Sequence, residues 1–482
     1  MSTPQVAILT ALPQDSLILH AVVDRLLANQ VNFTGYRENR IPTEFSPALL
    51  EARLLLLDNG SLDRLTAEQL AAVERFALEK HVCFYDLIGN DPNNRTVINN
   101  LAEISVNGAL AYSGVHSDGA DMPAQDLSVT LDFVAEYCRD NLQGNPPFNE
   151  FTLHNLRGLE CIAESRFGNG SQEYLDILTA LFSRQNEQVI PPNHDVLGGW
   201  SYAYRHYQLS GERRFADAML RLLDRTIAAR PRTAGGLLGG AGFQADPLGR
   251  QCSPSGARGS HLVRGPGVYT ELLQFHGGVL AAAAAYSGDE KYLHEAMRLV
   301  RYLREHHCDP QDHLPWHFTL QGQSRGSKWG RGAAHILWGL DLMLRFFPEM
   351  PAACREEVLA WADYLGEGLL ACQRPDGLWH NILDQKASAP ETSCTMCFLA
   401  VYSRLLNQGW LPVPKYRSML RRAGQALLRM CYRGGFAENC SGTGFALNHD
   451  YYIRRPHNFR LSGQLALALV EADRLFGANP PW

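Results

Sequence analysis

The sequence predicts two unlike parts, a small flavodoxin-like α/β domain followed by a larger, mostly α domain built of paired helices. Residues 5–90 alternate short apolar runs with helical patterns, whereas from about residue 148 the pattern is helical throughout. At 482 residues the chain is also too long for one ordinary compact core. We therefore expect the α/β domain over residues 1–100, a linker and entry helix over 101–147, and the helical domain over 148–482.

The first ninety residues predict a parallel sheet. Strand patterns occur at 6–10, 31–35, 53–58 and 81–86, with helical patterns at 16–29 and 66–80 between them. Strands that alternate with helices favour parallel pairing. Neither a GxGxxG nor a phosphate-loop motif accompanies them, so a nucleotide role is unsupported. A structural appendage is the favoured interpretation, with homo-oligomer formation through this domain as an expectation.

The helical domain repeats one turn, in which a glycine ends a helix and an aromatic residue opens the next. The turn occurs at 167–175, 209–216 and 286–293. Apolar helices follow at 335–347, 355–372, 392–406, 416–430 and 462–476. The pattern indicates roughly a dozen helices in tandem hairpins, which either stack as an open solenoid or close into a ring.

Charge and apolar patterning exclude several partners. Lys and Arg number 44 against 50 Asp and Glu, a formal charge of -6, and no long basic run suits a nucleic acid. The amino terminus lacks a cationic region followed by an apolar one, and the apolar runs are shorter than the ~18 to 20 residues that span a membrane. We expect a soluble, cytoplasmic protein with neither nucleic-acid nor membrane partners.

The eleven cysteines have no disulfide-framework spacing, which is typical of reduced thiols in a cytosolic chain. Cys394 and Cys397 form the one close pair. A zinc site would need a second such pair or nearby histidines, and a redox pair would need a preceding strand of the thioredoxin kind. Small residues packed in a helix are therefore the favoured interpretation.

The segment from Trp329 to His335 carries the clearest chemical signal. Its glycine-flanked start predicts a helix, on which Arg331 and His335 are one turn apart. A guanidinium matches a carboxylate with two parallel hydrogen bonds, so the pair suits an anionic, oxygen-rich ligand such as a uronic acid. The competing interpretation is a surface Arg and a packed His. Neighbouring loops rich in Trp, His and Gly, at 193–195, 316–317, 373–380 and 439–444, are typical of a sugar-binding mouth.

Several segments of the helical domain together resemble a known group of enzymes. They are the WGRG at 329–332, the PDGLW at 375–379, the ETS at 391–393, the CSGTG at 440–444 and the YYIRRP at 451–456. In this order they resemble the unsaturated glucuronyl hydrolases and unsaturated rhamnogalacturonyl hydrolases, over roughly residues 148–478.

The resemblance implies an (α/α)6 barrel and hydration of the C4=C5 double bond that polysaccharide lyases leave on a non-reducing uronic acid. It implies protonation at C4, addition of water at C5 and release of the remaining sugar from the resulting hemiketal. The implied substrate is a short oligosaccharide or glycoside. Neither a metal nor an organic cofactor is implied.

Two acidic residues match the positions of family aspartates. Asp195 lies in an HDxG-like segment, and Glu271 lies before the helix that leads to the turn at 287–290. They are the predicted catalytic residues, since the chemistry needs a carboxyl that gives a proton and then helps to deprotonate water. Glu271 departs from the family Asp by one methylene. A helix cap for Asp195 and a cap or salt bridge for Glu271 are the structural alternatives.

The substrate side of the predicted site follows from the same segments. Arg331 would pair with the uronate carboxylate or a hydroxyl, and His317 matches a family histidine. His335 stands where the families carry an aromatic residue, a second departure. Further predicted sugar contacts, each with a core or capping role as its alternative, are His194, Trp200, Trp316, Trp329 and Trp379.

The leading prediction is a glycoside hydrolase that hydrates unsaturated uronyl residues. A two-carboxylate glycosidase acting on a saturated glycoside stays open because of Glu271. A sugar epimerase is less favoured, since it would need paired histidines across the pocket. A carbohydrate-binding or regulatory protein without catalysis is the alternative from another class, and it gains if Asp195 and Glu271 point apart.

Overall fold

The structure is a computed structural model. It describes residues 6–10, 33–37, 54–58, 81–85, 127–142, 150–167, 171–190, 194–229, 232, 236–238, 244–245, 263–264, 268–320, 323–386, 388, 390–429, 431–432, 435–436, 440 and 463–477.

The amino-terminal strands form one parallel sheet. They are β1 (Val6–Thr10), β2 (Phe33–Arg37), β3 (Leu54–Asp58) and β4 (His81–Tyr85). Their order is β2-β1-β3-β4, with every neighbouring pair parallel. The predicted strands are confirmed, although the second begins two residues later than expected. The predicted helices at 16–29 and 66–80 lie outside the described residues, so the flavodoxin-like assignment stays a prediction.

The helical domain contains thirteen α-helices within the described residues. The first seven are α1 (Leu127–Leu142), α2 (Glu150–Phe167), α3 (Gln172–Phe182), α4 (His194–Gly199), α5 (Ser201–Ser210), α6 (Arg214–Ala229) and α7 (Gly278–Ser287). The others are α8 (Glu290–His307), α9 (Gly330–Phe346), α10 (Ala352–Cys372), α11 (Thr392–Asn407), α12 (Val413–Arg429) and α13 (Gly463–Phe476). A π-helical turn, Leu273–Gly277, leads directly into α7 and is called the π turn below.

Six inner helical segments close into a ring. In ring order they are α2, α4 with α5, the π turn with α7, α9, α11 and α13, and α13 packs back against α2. The other long helices, α1, α3, α6, α8, α10 and α12, pack outside them. The ring excludes the open solenoid and gives six helical hairpins, the architecture of an (α/α)6 barrel.

The burial pattern explains the two layers. Every residue of α9 except Arg345 is buried, since α9 has neighbours on all sides, whereas the outer helix α8 alternates buried and exposed residues. The predicted hairpin turns are confirmed at Gly211 and Gly288. Their φ angles are 75° and 72°, and each N–H caps the preceding helix. The third turn, at 168–170, lies outside the described residues.

Short strands connect the helices at one end of the ring. They are β5 (Gln244–Ala245), β6 (Val263–Arg264), β7 (Val268–Tyr269), β8 (Phe318–Leu320), β9 (Gln323–Arg325), β10 (Trp379–His380), β11 (Pro390–Glu391), β12 (Cys431–Tyr432) and β13 (Gly435–Phe436). The antiparallel β7, β8 and β9 form one sheet, and β10 pairs with β11. Among the described residues, no helix is both long and apolar enough to cross a membrane.

Candidate active site

The site lies where inner helices begin. Each inner helix is followed by an outer helix that returns the chain, so the amino termini of the inner helices meet at one mouth of the ring. Glu271 lies just before the π turn, Arg331 lies in the first turn of α9, and Glu391 caps α11. A backbone hydrogen bond links the start of α9 to the loop before α11, since the N–H of Gly330 donates to the carbonyl of Asn381 at 2.7 Å.

A buried carboxylate and imidazole form the centre of the site. Glu271 is 4% exposed and His317 is fully buried. Glu271 Oε1 lies 2.9 Å from His317 Nε2, and Thr270 Oγ1 donates to Glu271 Oε2 at 3.1 Å. The pairing of β7 with β8 brings the two side chains together, because the N–H of Thr270 donates to the carbonyl of His317 at 3.0 Å.

Glu271 is held as a carboxylate in the free protein. Burial raises its pKa, but the charge and hydrogen bond of His317, with a smaller contribution from the charge of His335, bring the pKa below the ordinary value. Glu271 and His317 lie at salt-bridge distance, the kind of contact that the salt-bridge alternative for Glu271 describes, and the catalytic role of Glu271 stays a prediction.

Trp329 organises the cationic side of the site. Its ring centroid lies 4.7 Å from that of His317 and 5.9 Å from that of His335, and the Arg331 guanidinium carbon lies 4.8 Å from it. The indole N–H donates to Asn381 Oδ1 at 3.0 Å. Trp329 is 1% exposed, so it fixes the surrounding groups instead of presenting an open ring face.

His335 is held by a residue that sequence reasoning missed. Its Nδ1 lies 2.6 Å from Oε1 of Gln274, and its ring also packs against Phe275. Gln274 follows Glu271 by three residues, a spacing that could have identified it as sharing a helix face with the carboxylate. Thr270 and Asn381 were also missed, and their contacts depend on strand pairing and loop geometry.

Two predicted sugar contacts lie in the hydrophobic core. Trp200 is 2% exposed, and its ring centroid lies 5.4 Å from that of Phe182. Trp379 is fully buried against Phe398, and its indole N–H donates to the carbonyl of Leu369 at 2.8 Å. These contacts favour the core alternative for both, because neither ring has a face left for a sugar.

The predicted Asp195 and His194 begin the short helix α4. Their side chains lie outside the described part of the structure. The backbone of α4 packs closely on the π turn, since a Cβ built on Gly198 would lie 2.9 Å from the Cα of Phe275. Asp195 therefore lies at the start of a helix that is adjacent to the one carrying Glu271. The placement of the two carboxyl groups in one site stays a prediction.

The remaining motifs support the mouth structurally. Glu391 accepts hydrogen bonds from the N–H of Cys394 at 2.7 Å and from Ser393 Oγ at 2.5 Å, which caps α11. Cys394 and Cys397 are buried free thiols within α11. Burial raises their pKa values well above the usual range, as expected of packed residues. Among the residues that the structure describes, no group of three or more His, Cys, Asp and Glu could hold a metal ion.

Fold and site together define a glycoside hydrolase of the (α/α)6-barrel class. Residues 149–476, more than half of the chain, match the sequence model of Glycosyl Hydrolase Family 88, and the chain belongs to this family. The resemblance drawn from the WGRG, PDGLW and ETS segments is thereby confirmed. A search of curated protein sequences gives no significant match.

Solved structures share the fold at low sequence identity. A candidate GH105 member from Klebsiella pneumoniae subsp. pneumoniae MGH 78578 is 17% identical, with a TM-score of 0.60 over 73% of this chain and 93% of that one. A family 105 glycoside hydrolase from C. acetobutylicum ATCC 824 is 15% identical, with a TM-score of 0.56 over 71% and 98%. The unsaturated glucuronyl hydrolase of Bacillus sp. GL1, described as responsible for glycosaminoglycan degradation, is 16% identical, with a TM-score of 0.51 over 74% and 97%.

Proposed function

We propose that this hydrolase acts on short saccharides ending in a C4=C5 unsaturated uronic acid, by hydration of the double bond. The observation that carries the proposal is the buried Glu271 and His317 pair at the mouth of the barrel, where the Trp329 ring contacts both His317 and Arg331. A proton-transferring carboxyl next to a guanidinium suits a sugar that carries a carboxylate. The likeness to an unsaturated glucuronyl hydrolase supports the same substrate class.

Glu271 is the proposed acid and base. Its carboxyl proton passes to C4 of the unsaturated ring, a water oxygen bonds to C5, and a proton of that water returns to the Glu271 carboxylate. The product is a hemiketal at C5, which opens and releases the remaining sugar. The step consumes one water and leaves the protein unchanged.

Substrate binding leads Glu271 to take up a proton from the solvent. In the free protein His317 keeps the pKa of Glu271 low. A bound uronate places a second negative charge near Glu271 and excludes water, and both effects raise the pKa of a carboxyl. Glu271 thus takes up a proton as the substrate arrives. Asp195, at the start of the adjacent helix, is the proposed second carboxyl that orients the water or sugar, with His194 beside it.

Arg331 is the proposed anchor for the uronate carboxylate or a ring hydroxyl. It is 2% exposed and fixed against Trp329, so it loses little side-chain freedom when a ligand binds. His335 offers a polar edge where related enzymes offer an aromatic face. We propose that the sugar next to His335 is therefore held by a hydrogen bond instead of by stacking.

The test uses lyase-generated oligosaccharides from several uronate polysaccharides. Hydration destroys the double bond, so ultraviolet absorbance falls with wild type and not with Glu271→Gln, whose amide cannot transfer the proton. The absence of any fall over a broad panel would contradict the proposal. Release of a saturated uronic acid from ordinary glycosides would instead support the two-carboxylate glycosidase.

A further inference from the structure

Helices α2 and α9 lie opposite each other in the inner ring, so contacts between them cross the barrel axis. Arg157 of α2 and Trp338 of α9 make such a contact, with the guanidinium carbon 3.9 Å from the indole centroid. Trp338 follows His335 by three residues, which places it about 4.5 Å further along the helix from the mouth. The pair therefore lies near the barrel axis beneath the candidate active site.

Arg157 is buried but has fewer hydrogen-bond acceptors than its N–H groups need. Its side chain is 3% exposed, and Nη2 donates to Oδ2 of Asp341 at 2.7 Å. Within the described part of the chain, Arg157 Nε and Nη1 have no hydrogen-bond partner, and neither has the indole N–H of Trp338. Buried N–H groups in folded proteins are nearly always paired, and these are donors without an acceptor.

The charged groups around Arg157 also leave an excess of positive charge. Asp341 is shared with Arg404, whose Nη1 lies 3.1 Å from Asp341 Oδ1, so two guanidinium groups face one carboxylate. Among the described residues, neither arginine has another acidic partner. Burial of an uncompensated charge is costly, and a bound counter-ion removes that cost.

A second arginine cluster deeper in the barrel lacks this imbalance. Glu160 and Glu164 each pair with both Arg205 and Arg345, which gives two carboxylates for two guanidinium groups. Arg345 also reaches across the axis from α9 to α2, as Arg157 does from α2 to α9. Arg345 in the deeper cluster is therefore a matched control, because it also crosses the axis but has its charge balanced by carboxylates.

We propose that Arg157 and Trp338 form a binding subsite for one small monovalent anion on the barrel axis. The anion accepts from the indole N–H and from either Nε or Nη1 of Arg157, and it neutralises the excess charge of Arg157, Arg404 and Asp341. The shared chemistry is a compact anion such as a carboxylate or a halide. Its source is either the carboxylate of the substrate, on the proposed function, or a free anion.

Bromide locates the site directly. Anomalous scattering from crystals soaked in sodium bromide is expected to give a peak within hydrogen-bond distance of Arg157 Nε or Nη1. Addition of saturated glucuronate separates the sources: loss of the peak assigns the subsite to the sugar carboxylate, and a retained peak beside bound sugar assigns it to a free anion. The absence of a peak in the bromide soak overturns the proposal.

Thermal unfolding tests the same subsite in solution. At constant ionic strength, replacing a bulky sulfonate with saturating bromide should raise the Tm by roughly 2 °C or more. The increase should vanish in Arg157→Gln, shrink in Trp338→Phe, which keeps the ring and removes the N–H, and persist in Arg345→Gln. An equal response in all three variants contradicts the proposal. Neither measurement requires turnover, so the subsite is tested separately from hydration of unsaturated uronides.

Discussion

Glu271 departs by one methylene from the Asp that the family resemblance implies, and both of its carboxylate oxygens have hydrogen-bond partners. Its carboxylate lies 2.9 Å from the fully buried His317. Thr270 donates to the other oxygen. The longer side chain is thus fixed at both oxygens, as the proposed role in proton transfer requires.

Shortening Glu271 should be costly even though it restores the family residue. In Glu271→Asp the carboxyl withdraws by about one methylene and loses His317, and a shift of ~1 Å can cost on the order of a hundredfold in kcat. Glu271→Gln should lose more, since its amide transfers no proton. Initial rates of absorbance loss measure both, with circular dichroism as the control for folding. An Asp variant at the wild-type rate would show that the position of Glu271 is not critical.

His317 sets the pH dependence of Glu271. Burial raises the pKa of Glu271 and His317 makes the largest contribution that lowers it, so in His317→Asn only smaller effects oppose burial and the pKa rises. Since the protonated carboxyl is the proposed acid, kcat/KM falls as pH increases through this pKa, and the falling limb should move to higher pH in the variant. A pH profile of kcat/KM measures the shift. An unmoved or lowered limb would assign the limb to another group.

At the scale of elements, the π turn positions the site. A π-helical turn is wider than an α-helical one and is often found at functional sites. Here it begins two residues after Glu271 and contains Gln274, the partner of His335. Gly339 of α9 makes room for it, since a Cβ there would lie 2.5 Å from the carbonyl carbon of Leu273.

Gly339→Ala should therefore reduce activity through the backbone. The new methyl group would also lie 2.6 Å from the Leu273 carbonyl oxygen, so the π turn must shift and move Glu271. We expect kcat to fall about a hundredfold, as a displacement of ~1 Å produces. Gly366→Ala is the control, because its Cβ would lie 2.6 Å from Tyr416 Oη between two outer helices. Equal kcat losses in the two variants would mean general destabilisation, not displacement of Glu271.

At the scale of the molecule, ring closure depends on the contact between α13 and α2. Gly463 begins α13, and a Cβ there would lie 2.5 Å from the carbonyl oxygen of His154. The contact joins the last inner helix to the first, which are separated by about 300 residues of sequence. Close backbone approach at this seam is what turns a row of hairpins into a barrel.

Gly463→Ala should weaken the whole barrel. Overpacking in a core costs about 1 to 3 kcal/mol, and the backbone oxygen here has little room to move. Denaturant unfolding measures the loss of free energy. Gly409→Asn is the matched control, since nothing lies within 4 Å of a Cβ there and Asn tolerates the positive φ of 69°. A loss as large in the control would show that the seam is not special.

The amino-terminal sheet is the part of the molecule with the least assigned role. Its parallel strands were predictable from four apolar runs. Homo-oligomer formation through residues 1–100 stays a prediction, as does a cytoplasmic location. Light scattering of the full chain against concentration measures the oligomeric state.

The sequence by itself determined the helical repeats, the parallel strands and the family, because apolar periodicity, glycine turns and short motifs are local properties. It also singled out Glu271, His317, Arg331 and His335, since chemistry-bearing residues stand out in a motif. Tertiary structure decided which partners they have. Gln274, Thr270 and Asn381 meet the site through a π turn and strand pairing, and Trp200 and Trp379 pack in the core. The Arg157 and Trp338 contact exists only because ring closure brings two helices together across the axis. The spacing of these residues in the sequence does not predict that contact.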